Sequence, residues 1–241
     1  MAKIHMVLQG KGGVGKSFVA ATIAQYKISK GQRPLCIDTD PVNSTFAGYK
    51  ALNVHRLPLM NGDEIDSRNF DSLIELIADA KDDVVIDNGA VSFVPMSSYL
   101  LVNNVPALLR RFGHDLVIHT VVTGGQALSD TTNGFAHLIR QFGDDALFVV
   151  WLNPYWGPIE RGGIRFEQMR AYSANKDRVS AILQIPALKQ ETFGRDLSEM
   201  LQQRLTFDEA LAMPSRTIMT RQRLKIVQGE LYGQMEAAAV L

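Results

Sequence analysis

Glycines at 10, 12, 13 and 15, lysines at 11 and 16 and a serine at 17 stand together, directly after the apolar run Ile4, Met6, Val7 and Leu8. Such a stretch is suited to holding an anion. Glycines let successive backbone N–H groups turn inward around phosphate oxygens, and the start of a following helix adds the positive end of its dipole. Gly10, Gly15, Lys16 and Ser17 fit the phosphate-loop pattern G-x-x-x-x-G-K-[ST], in which the lysine reaches the β/γ-phosphates and the hydroxyl ligates Mg²⁺. The motif requires a strand before it and a helix after it, and the apolar run and the helical stretch 19–29 supply both. The expected nucleotide contacts are Gly10, Lys11, Gly12, Gly13, Val14, Gly15, Lys16, Ser17 and Phe18.

Two acidic stretches lie further along. Asp38 and Asp40 close a short apolar strand before Pro41, at the strand end where parallel sheets bind their ligands. Read alone they serve a turn equally well. Val84-Val85-Ile86-Asp87 followed by Asn88-Gly89 has the layout of a Walker B strand, whose aspartate holds Mg²⁺, although many α/β strands end this way for turn reasons. Asn153-Pro154 follows the apolar run 146–152, and Ile185-Pro186 follows 181–184; the first pair is also an ordinary turn dipeptide.

Positioning these groups takes alternating strands and helices. Helical spacing is expected at 67–80, where Phe70, Leu73, Ile74 and Ile77 share a face, and at 95–111 and 126–142. Strands are expected at 115–122 and 146–152, with a short edge strand near 54–57 in the mixed interval 46–66. This alternation predicts an α/β fold with a mainly parallel central sheet between helical layers, and the 241 residues suit one domain, 1–241. Thr206 to Glu209 has the spacing of a capping box. From 213 to 229 there are no acids, while Arg216, Arg221, Arg223 and Lys225 are basic; Leu224, Val227, Leu231 and Met235 form an apolar face that should dock on the body.

Composition narrows the classes. With 46% hydrophobic and 21% charged residues the chain reads as globular, and zero net charge gives no global argument for nucleic acid or membrane. One cysteine, Cys36, excludes an intrachain disulfide framework or a C-x-x-C site. No apolar run approaches the roughly 18 residues of a membrane span and no secretory layout opens the chain, so a cytoplasmic protein is expected.

The loop G-K-G-G-V-G-K-S resembles the deviant phosphate loop of the ParA/MinD family of ATPases, and the later motifs fall in that family's order from Gly10 to Pro186. The resemblance implies a P-loop NTPase three-layer fold, ATP and Mg²⁺ as ligands, slow hydrolysis and a homodimer in the ATP state. It assigns Lys11 to the partner's nucleotide across the dimer interface. Lys16 goes to the chain's own phosphates, Asp40 of D-x-D-P-x-N-S orients attacking water, and Ser17, Asp38 and Asp87 form the metal surroundings. Asn153 and the Ile185-Pro186 backbone are assigned to the adenine. Asp87-Asn88-Gly89-Ala90 lacks the family's usual proline, leaving the Gly89 N–H as the expected γ-phosphate contact, and Leu188 replaces the acid usual after the I-P pair. Asn175-Lys176-Asp177 fails the guanine-reader spacing, which favours ATP over GTP. The segment D-N-G-A-V-S-F-V-P resembles plasmid-transfer members, so a protein partner in a transfer or partition complex is expected. Nonspecific DNA is a further candidate partner through the basic interval, and a membrane is not expected. A non-hydrolysing ATP-dependent scaffold is the alternative.

Overall fold

The computed structural model describes residues 2–241. In chain order its strands are β1 (Lys3–Val7), β2 (Leu35–Asp38), β3 (His55–Arg56), β4 (Met60–Asn61), β5 (Glu64–Ile65), β6 (Val84–Asp87), β7 (Asp115–Thr123), β8 (Leu147–Asn153), β9 (Glu160–Arg161), β10 (Ile164–Arg165) and β11 (Val179–Gln184). Its helices are α1 (Lys16–Ser29), α2 (Asn69–Ala78), α3 (Phe93–Val102), α4 (Val105–Arg111), α5 (Leu128–Phe142), α6 (Arg170–Ser173), α7 (Arg195–Gln202), α8 (Phe207–Ala212) and α9 (Ile218–Ala237). Seven strands form one parallel sheet in the order β11-β8-β7-β1-β6-β2-β3, while β4 with β5 and β9 with β10 form two small antiparallel hairpins.

The central strands are buried on both faces, which is why β6, β7 and β8 read as continuous apolar runs rather than alternating ones. One face carries Ile4, Met6, Ile86 and Ile118 against Phe70 and Leu73 of α2, Met96 and Leu100 of α3, and Phe135 and Leu138 of α5. The other carries Val7, Val85, Val121 and Trp151 against α1, α7, α8 and α9. The result is the expected three-layer α/β arrangement. Each fully buried Phe or Leu here contributes on the order of 1.5–3 kcal/mol.

Several local expectations hold. Phe70, Leu73, Ile74 and Ile77 are all buried on α2, as are Leu224, Val227, Leu231 and Met235 on α9. The Thr206 hydroxyl accepts from the Glu209 N–H, and the Glu209 carboxylate accepts from the Thr206 N–H, closing the capping box of α8. Two expectations need correction. The first helix begins at Lys16, inside the phosphate loop, because Gly15 at φ 102° turns the chain straight into it. The interval 95–111 is two helices, broken where Asn103 ends α3 and Asn104 takes φ 50° ahead of Pro106.

Register brings the ligand ends together. Val7 pairs with Asp87 and His119, Asp38 pairs with Asp87, and Thr123 pairs with Asn153, so the C-terminal ends of β1, β2, β6, β7 and β8 lie in one row. A buried polar chain runs from Trp151 and His119, which is level with Val7, through His5 to Asp83 just before β6. The Trp151 Nε1–H donates to His119 Nδ1, which puts the neutral His119 proton on Nε2, facing His5 Nδ1 at 3.0 Å. His5 Nε2–H then faces Asp83 at 3.8 Å, and Asp83 is held by the Lys27 ammonium and the Lys3 N–H.

Candidate nucleotide site

The loop after β1 turns through Gly13 at φ 72° and Gly15 at φ 102°, conformations that favour glycine. A Cβ on Gly15 would also stand 3.0 Å from Asn153 Nδ2. Gln9, fully buried beside the loop, braces it: its amide donates to the Val121 and Thr131 carbonyls, and its Oε1 accepts from the Lys11 N–H. Gly12, Gly13, Gly15, Lys16, Ser17 and Phe18 line a cleft of about 470 Å³, with Asp40, Asn43, Thr45 and Tyr49 on its far side and Ala90 and Val91 at its edge.

Three of the expected loop contacts have other tasks. Gly10 packs against the Phe93 ring, where a Cβ would stand 3.0 Å from Cδ1. Val14 is buried, and its carbonyl accepts from Asn153. Lys11 turns away and pairs with Asp130 at 2.8 Å. Lys16 is the lysine inside the cleft. Its ammonium folds back to donate to the Lys11 carbonyl at 3.0 Å, and burial pulls its pKa down against the opposing fields of Asp87 and Asp40.

Beneath the loop lies Asp87, 1% exposed, with neither carboxylate oxygen holding a hydrogen-bond partner among the described residues. Burial pushes its pKa up to about 7, and Asp38 and Asp40 add to that shift; the Ser17 hydroxyl, which is near the carboxylate without meeting hydrogen-bond geometry, and the Lys16 ammonium act against it. A buried carboxylate left this way is a costly arrangement that a cation removes. No group of three or more His, Cys, Asp or Glu residues able to hold a metal occurs among the described residues. Mg²⁺ suits such a place, since it binds through one or two protein oxygens and completes its shell with phosphates and water. Ser17 and Asp87 fit it.

The other two acids are partly committed. Asp38 is fully buried; its oxygens accept from the N–H groups of Asp40 and Ala47, so it shapes the turn that presents Asp40. Burial nonetheless raises its pKa. Asp40 Oδ1 accepts from Val42 and Asn43 N–H, and its carboxyl crowds Gly89, where a Cβ would meet Asp40 Cγ at 2.7 Å. The Asp87 end is fixed by Thr39, whose N–H and hydroxyl both donate to the Asp87 carbonyl, and by Ser92, whose hydroxyl donates to Asn88.

A second cleft of about 530 Å³ adjoins the first at Leu201. Asn153, Pro154 and Tyr155 form one wall, Ile185, Pro186 and Leu188 another, and Leu197 and Ser198 of α7 its floor. Asn153 and Pro186 are thus brought together as expected. The Asn153 amide, however, already holds the loop through Val14 and caps the Tyr155 N–H, so it positions the phosphate loop directly. Asn175 and Asp177 lie before β11, at the opposite end of the sheet from the loop.

Sequence reasoning missed Gln9, Asp130 and the role of Trp156, whose indole N–H donates to the Gly13 carbonyl at 3.3 Å. Gln9 adjoins the motif and Trp156 lies three residues past Asn153, but neither has a spacing signature. The basic interval is also corrected. Arg216 is buried and Arg223 pairs with Asp196, which leaves Arg221 and Lys225 at the surface rather than a four-residue basic patch. No helix among the described residues is long and apolar enough to cross a membrane.

Comparison with known proteins agrees with this geometry. The family model CbiA, described as the CobQ/CobB/MinD/ParA nucleotide binding domain, matches residues 5–142. The chain is 75% identical over 241 residues, the whole of both chains, to the Escherichia coli protein named Protein TraL. Among solved structures it is similar to the MinC:MinD cell division protein complex of Aquifex aeolicus, with TM-score 0.55 at 17% identity over 96% of each chain. It is also similar to the septum site-determining protein MinD with Mg-ADP from Pyrococcus horikoshii, with TM-score 0.54 at 18% identity over 100% of this chain and 99% of that one. These two likenesses show the shared fold, and the sequence matches go further. The chain belongs to the CobQ/CobB/MinD/ParA family of nucleotide-binding P-loop proteins.

Proposed function

We propose that the chain binds Mg·ATP across the two adjoining clefts, dimerises in that state and hydrolyses ATP slowly, serving plasmid conjugal transfer or partition through a protein partner. The observation that carries this reading is Asp87: a carboxylate buried under a phosphate loop with both oxygens unpartnered. Its burial would be tolerable with a cation bound. Ser17 and Asp87 would hold Mg²⁺, which would neutralise phosphate charge there. Lys16 leaves the Lys11 carbonyl for the β/γ-phosphates, the loop N–H groups hold the phosphate oxygens, and the Asp40 oxygen not used in its turn orients water. Positioning and charge stabilisation are most of what such a site contributes.

A non-hydrolysing ATP-dependent scaffold is the second reading, favoured by the engagement of Asp40 Oδ1 in its own turn. Arg221 and Lys225 are the residues left to meet nonspecific DNA.

Thermal unfolding with Mg·ATP, Mg·GTP and each nucleotide without Mg²⁺ tests the site. Mg·ATP at ~100 times its dissociation constant should stabilise by about 2.7 kcal/mol and GTP by much less. Equal shifts would remove the adenine assignment, and no shift would remove the site. Phosphate release from the ATP-bound protein separates the two readings.

A further inference from the structure

The start of α9 closes a cleft of about 280 Å³ against α7, lined by Glu199, Gln203, Ser215, Arg216, Thr217 and Thr220. It lies across α7 from the base cleft, which uses Leu197, Ser198 and Leu201 of the same helix. Arg216 sets it apart. The residue is 9% exposed, its Nε is buried without a hydrogen-bond partner, and its guanidinium enters no ion pair among the described residues. The neighbouring carboxylates are taken: Glu199 pairs with Arg195, and Asp196 holds Arg223 and faces the Thr220 hydroxyl.

Arginine keeps its charge, so a guanidinium whose Nε–H is buried without an acceptor is unfavourable until an anion joins it. The surroundings suit one. The helix behind the cleft is 20 residues long, and its first-turn N–H groups at Ile218 and Met219 have no partner among the described residues, since Thr217 caps Thr220. A helix start of this kind favours negative charge. Ser215 adds a hydroxyl at the same space, while the Thr217 hydroxyl donates to Thr220 Oγ1 and the Thr220 hydroxyl to Asp196. A planar carboxylate would be satisfied by the guanidinium fork alone, whereas donors arriving from several directions match a tetrahedral group.

We propose that this cleft is a binding site for a small tetrahedral oxyanion of the phosphoryl class, with Arg216 as its charge partner and the Ser215 hydroxyl and the first N–H groups of α9 as neutral donors. The site is separate from the phosphate loop and does not rest on the nucleotide reading.

Because the phosphate loop also takes phosphate, the test separates the two by position. Amide NMR spectra of the full wild-type chain, titrated with inorganic phosphate, should show saturable shifts at Ser215, Thr217 and Ile218, retained in Lys16→Ala. Arg216→Gln should weaken binding read at these amides by about tenfold or more, and Arg216→Lys should keep part of it. An arm with O-phosphoserine tells a free ion from a phosphoryl group carried on a larger molecule, and binding of either supports the site. Shifts confined to residues 10–18, shifts at 215–218 that do not saturate, or shifts unchanged by Arg216→Gln overturn it. Acetate binding as tightly as phosphate overturns the tetrahedral assignment. If Arg216→Gln does not fold, the wild-type and Lys16→Ala titrations still decide.

Discussion

Lys11 Nζ lies 2.8 Å from Asp130 Oδ2 near the start of α5, so the two lysines of one loop point in different directions. Both partners of this pair are about half-exposed, which limits it to about 0–1 kcal/mol. A pair that weak exchanges readily for a phosphate across a dimer interface. Lys11→Ala should therefore bind ATP yet stay monomeric and without turnover. Asp130→Ala should dimerise at up to about fivefold lower ATP, because no bond need be broken first. Light scattering with ATP reads both, and a Lys11→Ala protein that dimerises like wild type removes the cross-interface role.

Lys16 and Asp40 should separate binding from turnover. Lys16→Ala is expected to lose ATP itself, since no other ammonium among the described residues lines the loop cleft. Asp40→Ala should bind, dimerise and persist as the dimer without releasing phosphate. Gly89→Ala is expected to mimic it, because the added Cβ meets the Asp40 carboxyl at 2.7 Å and must push it aside. Equilibrium ATP binding beside phosphate release distinguishes the three; unimpaired turnover in Gly89→Ala would count against Asp40 as the water-orienting group.

Asp87 carries a cost in the nucleotide-free protein that Asn would not. Asp87→Asn should raise the stability of the nucleotide-free chain at pH 8 by about 1–3 kcal/mol while removing the Mg²⁺-dependent part of nucleotide binding. Denaturant unfolding measures the first and nucleotide titration with and without Mg²⁺ the second. A destabilised Asp87→Asn chain would show that Asp87 is held by the fold rather than awaiting a ligand.

The chain of His5, His119 and Trp151 makes the fold acid-sensitive. Burial lowers the His5 pKa to about 4, with Lys27 and Lys3 adding to the shift and Asp83 opposing it; His119 lies well below its usual value for the same reason. A depressed histidine is neutral in the fold, so the unfolded chain binds more protons between about pH 6.5 and 4. Stability is complete above that window and falls with pH through it, by about 3 kcal/mol from His5 alone. Asp83, held below the usual carboxylate range by His5, Lys27 and the Lys3 N–H despite its burial, loses its contribution below the same window. Melting temperature against pH checks this, and a flat profile from 6.5 to 4 would contradict the neutral histidine pair.

The sequence by itself determined the phosphate loop, the alternation of the main strands with helices, the buried faces of α2 and α9 and the capping box of α8, but not α6, α7, the two hairpins or the break between α3 and α4. What it determined rests on periodicity and on contacts within a few residues, which fold into neighbours whatever the rest of the chain does. Tertiary structure decided which polar groups meet. Lys11 and Asp130 are 119 residues apart, and Asn153 reaches Val14 across 139. Those meetings exist because β1 lies between β6 and β7, with β8 next in the row, an order no local pattern specifies. Arg216 and Arg223 show the same limit: both read as surface charge, yet α7 and α9 pack so that one is buried and the other finds Asp196. A charged residue's burial depends on the element laid over it, and that element is chosen by the packing of the whole apolar face.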